Sequence, residues 1–288
     1  MKPISDTGFD YASFLGGTLR ATAFLLLILV LTPVQVFYLG RKSADPRRIP
    51  YLFHRALVRV LGFKVRVHGH MAAVAQGPVL FVANHASYLD IPVLGSLIPA
   101  AFIAKADVRR WPIFGVLARL QQTVFIERRA ARASDQRDAL RTQIENGRSL
   151  ILFPEGTSSV GVSVLPFKSS LFGMVEGGFA SSVKVQPVSV ICTELDGLPI
   201  TRSWRSIYAW YGDMTLPRHL WNVFKYGRFT VDVVFHPPIF LADFRDRKVL
   251  AAYCQKQVAR GIEQGVTGRW NAETPKLLAP PKQKLLGA

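Results

Sequence analysis

Acidic side chains and cysteines are scarce in this chain. Only 19 Asp and Glu stand against 36 Lys and Arg, giving a formal net charge of +17 over 288 residues. That imbalance implies an anionic partner: a nucleic acid, an anionic membrane surface or a phosphorylated ligand. The two cysteines, Cys192 and Cys254, make neither a disulfide framework nor a metal-ligand spacing, which suits a reducing compartment. Internal repeats are lacking, which excludes a solenoid or propeller. A basic recognition helix is also lacking, which speaks against nucleic acid. Charge is missing altogether from Ala21 to Gly40, ATAFLLLILVLTPVQVFYLG. As a helix this stretch would be ~30 Å long, the thickness of a bilayer core. Arg20 precedes it, and Arg41, Lys42, Arg47, Arg48 and Arg55 follow. The excess of positive charge after the segment places the remainder on the cytoplasmic face of the inner membrane. No small-residue cleavage site follows the run, so it reads as an anchor rather than a leader. Pro33 and Gln35 leave two forms open, a full span or a kinked segment that dips into one leaflet.

The rest of the chain has what a folded domain needs. Hydrophobic residues make up 49% of it, enough for a substantial core. From about residue 51 to 265, strand and helix signals alternate. Strands are expected at Phe63–His68, Val79–Ala83, Ala101–Ala104, Thr123–Ile126, Ser149–Phe153, Lys184–Ile191 and Phe229–Phe235. Helices are expected at Trp111–Leu120, Ala133–Glu145, Ser169–Phe179 and Asp246–Gln264. This order predicts an α/β fold, one layered domain with a mixed, mostly parallel sheet flanked by helices. The membrane-attached helix precedes it. The division expected is 1–50 for anchor and basic linker, 51–268 for the domain, and 269–288 for a poorly ordered tail.

Asn84-His85-Ala86-Ser87-Tyr88-Leu89-Asp90 follows the apolar run Val79–Ala83 directly. A His and an Asp at this spacing cannot face each other on one regular element. On a helix they would stand roughly 140° apart, and on a strand they would point to opposite faces. They meet only if the chain turns, and Ser87 offers an N-cap for a helix toward Leu97. An imidazole at such a corner, its tautomer held by a carboxylate, is a general-base arrangement. Ser87 and Asp90 also fit a capping box with Asp in place of Glu, so a purely structural role stays open.

Further blocks follow in order. Phe125-Ile126-Glu127-Arg128-Arg129 sets two guanidiniums after a strand, suited to phosphate or carboxylate. Phe153-Pro154-Glu155-Gly156-Thr157-Ser158-Ser159 follows another strand, at the end where α/β sheets usually bind ligands. Val185-Gln186-Pro187-Val188 lies in a later strand. Together with Asn84-His85 and Asp90, these blocks resemble those of the glycerolipid acyltransferase family, which includes the 1-acylglycerol-3-phosphate acyltransferases. The resemblance covers roughly residues 60–240. It implies that His85 is the general base on an acceptor hydroxyl and that Asp90 orients it. The hydroxyl would attack the thioester of acyl-CoA or acyl-carrier protein, without a covalent enzyme intermediate, a cofactor or a metal. It further implies substrate contacts at Asn84, Ser87, Phe125, Arg128, Glu155, Gly156, Thr157 and the position of Ser158; Lys105 is weighed evenly between an anion contact and a surface lysine. An apolar groove beside His85 would take the acyl chain.

One position departs from the family pattern. Its third block usually continues Glu-Gly-Thr-Arg, whereas Ser158 stands here, removing a charge-assisted contact to phosphate. Leu165–Phe172, Trp210–Met214 and His219–Trp221 look similar to the branch that acylates lyso-ornithine lipid. That acceptor, a 3-hydroxy-acyl amide of an amino acid, is favoured over 1-acyl-glycerol-3-phosphate. The expected partners are therefore a lysolipid, an acyl thioester and an anionic membrane surface, with no nucleic acid. A non-catalytic lipid-binding protein that retains the fold is the alternative. His68-x-His70 is expected to be structural rather than half of a metal site, and the aromatic group Trp204, Tyr208, Trp210, Tyr211 and Trp221 to be packing.

Overall fold

The computed structural model describes residues 12–41, 45–127, 133–176 and 182–270, side chains of 133–137 excepted. Its elements in chain order are α1 Phe14–Leu39, α2 Arg48–Val60, β1 Lys64–Gly69, β2 Val79–Ala83, α3 Asp90–Leu97, β3 Ala101–Lys105, α4 Phe114–Leu120 and β4 Val124–Ile126. They continue with α5 Ala133–Glu145, β5 Leu150–Leu152, β6 Lys184–Leu195, β7 Leu198–Pro199, α6 Leu216–Tyr226, β8 Phe229–Phe235 and α7 Arg247–Thr267.

The strands form one sheet in the order β1-β8-β6-β2-β5-β3-β4, with β7 folded back on β6. Strands β6, β2, β5, β3 and β4 run parallel. Strands β8 and β1 are parallel to each other and opposed to β6. The predicted mixed, mostly parallel sheet is therefore present.

β2 explains why the centre is so apolar. All five of its residues are buried. Val79, Phe81 and Ala83 enter one core, and Leu80 and Val82 enter the other. A strand covered on both faces needs a continuous hydrophobic run, which is how it reads in the sequence. On the first face lie α1, α2, α3 and α6; on the second, α5 and α7 contribute Leu140, Ile144, Leu250, Cys254, Val258 and Ile262.

Several boundaries differ from expectation. The line drawn at residue 50 falls inside α2. Pro50 sits in that helix's first turn, where its missing N–H is not needed, so proline here starts a helix rather than a linker. The helix expected from Trp111 begins at Phe114, after Ile113 adopts a positive φ of 61°. The helix expected over Ser169–Phe179 is a 3₁₀ segment over Ser169–Val175, and 177–181 lie outside the described residues. β6 continues past Ile191 to Leu195. The tail beyond Trp270 also lies outside the described residues.

α1 is long and apolar enough to cross a membrane. One side of it packs on the domain: Phe24 meets Phe224, Arg20 donates to Phe224 O at 2.8 Å, and Gln35 Nε2 donates to Pro46 O and Leu120 O at 2.9 and 2.7 Å. The other side exposes Leu15, Leu19, Leu25, Leu29, Val30 and Phe37.

Candidate active site

β2 ends at Ala83, and the next residue extends the sheet with its side chain. Asn84 Nδ2 donates to Val190 O at 2.9 Å, and Val190 N donates to Asn84 Oδ1 at 2.8 Å. Asn84 thus copies a backbone amide on neighbouring β6. His85 comes next, at the turn, with a fifth of its side chain exposed. Its Nδ1–H donates to Asp90 Oδ2 at 3.0 Å, so the bend the spacing demanded is there.

Asp90 is fully buried and saturated with donors. Oδ2 also accepts from Ala86 N at 2.8 Å and Ser87 N at 2.9 Å, while Oδ1 accepts from the Tyr208 hydroxyl at 2.8 Å. The capping box expected at Ser87 is only half formed: Asp90 Oδ2 accepts from Ser87 N, but Ser87 Oγ accepts from Leu89 N instead of Asp90 N, and α3 starts with Leu89 as its N-cap and no side-chain cap bond. Among the described residues no side chain claims His85 Nε2. The imidazole stacks on Phe153 at 4.2 Å, and Phe153 stacks on Phe102 at 6.1 Å. Phe102 in turn lines an apolar cavity of about 180 Å³ between α1, α2, α3, α4 and α6, walled also by Leu57, Tyr88, Leu89 and Leu220. The expected apolar space thus lies two rings from the imidazole. His54 stands at its wall, and burial lowers its pKa to about 4, leaving the ring neutral.

Glu155 holds the corner from below rather than offering an oxygen to a ligand. His85 N donates to its Oε1 at 2.9 Å and Leu165 N to its Oε2 at 3.1 Å. Burial pushes its pKa up to about 7, against those two bonds, which favour the charged form. Gly156 turns the chain at φ 73°, in the left-handed region that favours glycine. Thr157 is exposed. The Ser158 hydroxyl donates to Trp210 O, and Ser159 N donates to His85 O at 2.9 Å. Ser87 Oγ accepts from Leu89 N at 3.3 Å inside the core. Asn84, Ser87, Glu155 and Ser158, expected at the substrate, all make hydrogen bonds within the fold. Phe125 is half-buried in β4, and Lys105 at the end of β3 pairs with Asp107. Arg128 lies outside the described residues.

The comparisons fit this geometry. The family model described as "Acyltransferase" matches residues 64–191. The chain is 38% identical to a lyso-ornithine lipid O-acyltransferase of Brucella abortus, over 88% of this chain and 97% of that protein. It is 37% identical to a protein of the same description from Rhizobium meliloti, over 85% of each. The chain belongs to the acyltransferase family. Among solved structures it is similar to the 1-acyl-sn-glycerophosphate acyltransferase PlsC of Thermotoga maritima, with a TM-score of 0.60, 25% identity, and coverage of 88% of this chain and 99% of that one.

In this acyltransferase, sequence reasoning missed Tyr208, which was assigned to packing. It lies 118 residues from Asp90, and no local pattern joins them. His219 Nδ1 lies 2.9 Å from the Tyr88 hydroxyl. His68 pairs with Asp232, and no group of three or more metal-ligating side chains exists among the described residues.

Proposed function

We propose that this protein is a membrane-associated O-acyltransferase that moves an acyl chain from a thioester to the hydroxyl of a lysolipid, with His85 as general base. The observation that carries the reading is Asp90, whose three other donors fix it so that it accepts from His85 Nδ1–H and favours that tautomer. Nε2 is then the lone-pair nitrogen. It takes the hydroxyl proton as the oxygen attacks the thioester carbonyl. The new C–O bond forms, the C–S bond breaks, and the imidazolium returns its proton to the leaving thiolate. Positioned proton transfer of this kind contributes ~10²–10⁴-fold. The apolar cavity is suited to the fatty chain.

Lyso-ornithine lipid is the acceptor we favour. The named relatives and Ser158 support it, since position 158 offers a hydroxyl bonded to Trp210 O where the family pattern has arginine. The donor is acyl-carrier protein or acyl-CoA. The apolar outer side of α1 and the basic side chains of α2, Arg48, Arg55 and Arg59, suit an anionic leaflet, and we place the domain on the cytoplasmic face of the inner membrane.

Purified protein in vesicles, given labelled acyl thioesters with lyso-ornithine lipid or 1-acyl-glycerol-3-phosphate, tests this reading. The wild type should esterify the former faster, and His85→Ala should abolish transfer while vesicle binding persists. Turnover retained in a folded His85→Ala variant would remove the base assignment.

A further inference from the structure

Resting on that reading, we propose that Arg205 is the anion-recognition residue of the acceptor site and that its ligand is the head group's α-carboxylate. Arg205 is only 7% exposed, yet it has no carboxylate partner among the described residues. Its one side-chain hydrogen bond there is a long one, from Nη1 to Cys192 O at 3.4 Å. A buried guanidinium normally has its donors satisfied, since stripping it of water otherwise costs several kcal/mol. Arg66 shows the ordinary solution, with Asp232 and Glu194 both in hydrogen-bond contact.

The donors that Arg205 does not spend are not sealed inside protein. Arg205 lines a small cavity of about 10 Å³ whose other walls include Ala86, Gly161, Cys192, Ile200, Tyr208 and Ala209. Several of these walls adjoin the His85–Asp90 corner. Ala86 follows His85, Tyr208 bonds Asp90, and Val160 and Gly161 continue the block that carries Ser158. The positive charge absent from position 158 is thus supplied from another wall of the same cradle. The chemistry of the acceptor matches this placement. In an N-acylated amino acid bearing a 3-hydroxyl, the α-carboxylate lies only a few bonds from the hydroxyl that His85 would deprotonate. Guanidinium and carboxylate are planar and pair in bidentate fashion.

The test compares three acceptors in vesicles: lyso-ornithine lipid, its neutral α-carboxamide, and 1-acyl-glycerol-3-phosphate. Turnover is read in the wild type, and Kd in the His85→Ala background. The carboxylate should be favoured over the carboxamide by about 10- to 100-fold in both readouts. Arg205→Gln should bring that ratio close to one, with KM for the acyl thioester unchanged, and Arg205→Lys should restore part of it. A wild type that treats acid and amide alike overturns the proposal, whether or not the variant folds. A folded Arg205→Gln that keeps the ratio overturns it too, as does a loss confined to the phosphate lipid. Binding that discriminates without any turnover would support Arg205 and defeat the acyl-transfer reading instead.

Discussion

Two histidine–aspartate contacts occur among the described residues, and they have opposite meanings. His85 and Asp90 meet at 3.0 Å; His68 and Asp232 meet at 2.7 Å. Both carboxylates are fully buried. The second pair is the shorter, and distance alone would rank it first. What separates them is the remainder of each carboxylate's company. Asp90 accepts from two backbone N–H groups and a tyrosine, all neutral, so its charge is left for the imidazole. Asp232 is gripped by the Arg66 guanidinium at 2.9 and 2.7 Å and also accepts from Thr193. Its charge is already answered, and a second cation gains little there. The surroundings differ as well. His85 stands where β2 breaks into α3, two rings from a cavity, whereas His68 lies on the edge strand β1, its ring stacked on Trp270 at 4.0 Å.

The widest gap between the pairs should appear when each aspartate is made neutral. Asp90→Asn removes the acceptor that fixes the His85 tautomer, and kcat should fall by roughly 10²–10⁴-fold. Asp232→Asn should leave activity per folded molecule within about threefold. It should instead lower stability by roughly 2–4 kcal/mol, a discounted value for a broken buried pair because a third of the Arg66 side chain meets solvent. Chemical denaturation beside a transfer assay checks both. Equal losses of activity would abolish the distinction.

The pH dependence of stability sharpens the picture at the corner itself. Burial raises the Glu155 pKa from an ordinary 4.5 to about 7. The folded state therefore keeps this proton to higher pH than the unfolded chain does. The contribution is full below pH ~4.5 and is lost as pH rises through about 7. Unfolding free energy should decline over that window by up to about 3 kcal/mol, and Glu155→Gln should flatten the decline. Denaturation midpoints taken between pH 4 and 8 test this, and parallel curves for the two proteins would contradict it.

Much of this arrangement was visible beforehand, and the rest was hidden for identifiable reasons. β2 and β8 lie at their expected limits because strands buried on both faces demand unbroken apolar runs. α5 ends as expected at Glu145, just before Gly147 with its φ of 71°. β6 outran its prediction because its last turn outward carries Thr193 and Glu194, which serve the Arg66 network rather than a core. α6 went unseen: Leu216-Pro217-Arg218-His219 opens with a proline and carries its buried face at His219, Val223 and Phe224. The His85–Asp90 meeting was forced by spacing. The jobs of Asn84, Ser87 and Glu155 were not, because sequence does not tell whether a polar side chain turns toward solvent or toward a backbone amide. Tyr208 and Arg205 reach the corner only through tertiary packing.

Removing single neutral donors should give a smaller, graded effect. Tyr208→Phe deletes one hydrogen bond to Asp90 and leaves the ring in the core against Phe63 and Phe229. A charge-assisted bond of this kind contributes about 1.5–3 kcal/mol, so kcat/KM should drop roughly tenfold or somewhat more, with the pH profile displaced. Unfolding free energy should fall by a similar amount, because the bond is already made in the resting fold. The analogous Thr193→Val, beside Asp232, should leave kcat/KM unaltered. A profile that does not move in Tyr208→Phe would reduce that tyrosine to packing.

The smallest effect should come from His68 itself. Deleting the ring as His68→Ala takes one contact from Asp232, but Arg66 and Thr193 still satisfy both carboxylate oxygens. A third of the His68 side chain is exposed, so its interaction is shared with water and screened. Loss of the stack on Trp270 adds a contribution at most comparable with an exposed aromatic pair. The sum should stay under about 1 kcal/mol, and acyl transfer should stay within twofold of wild type. The same substitution at His85 removes the nitrogen proposed to take the proton, although His85 makes the longer of the two contacts with its aspartate. If His68→Ala instead cut transfer tenfold or more at unchanged stability, function would extend to the β1 edge, and a carboxylate already bound by arginine would have to be accepted as a working partner for histidine.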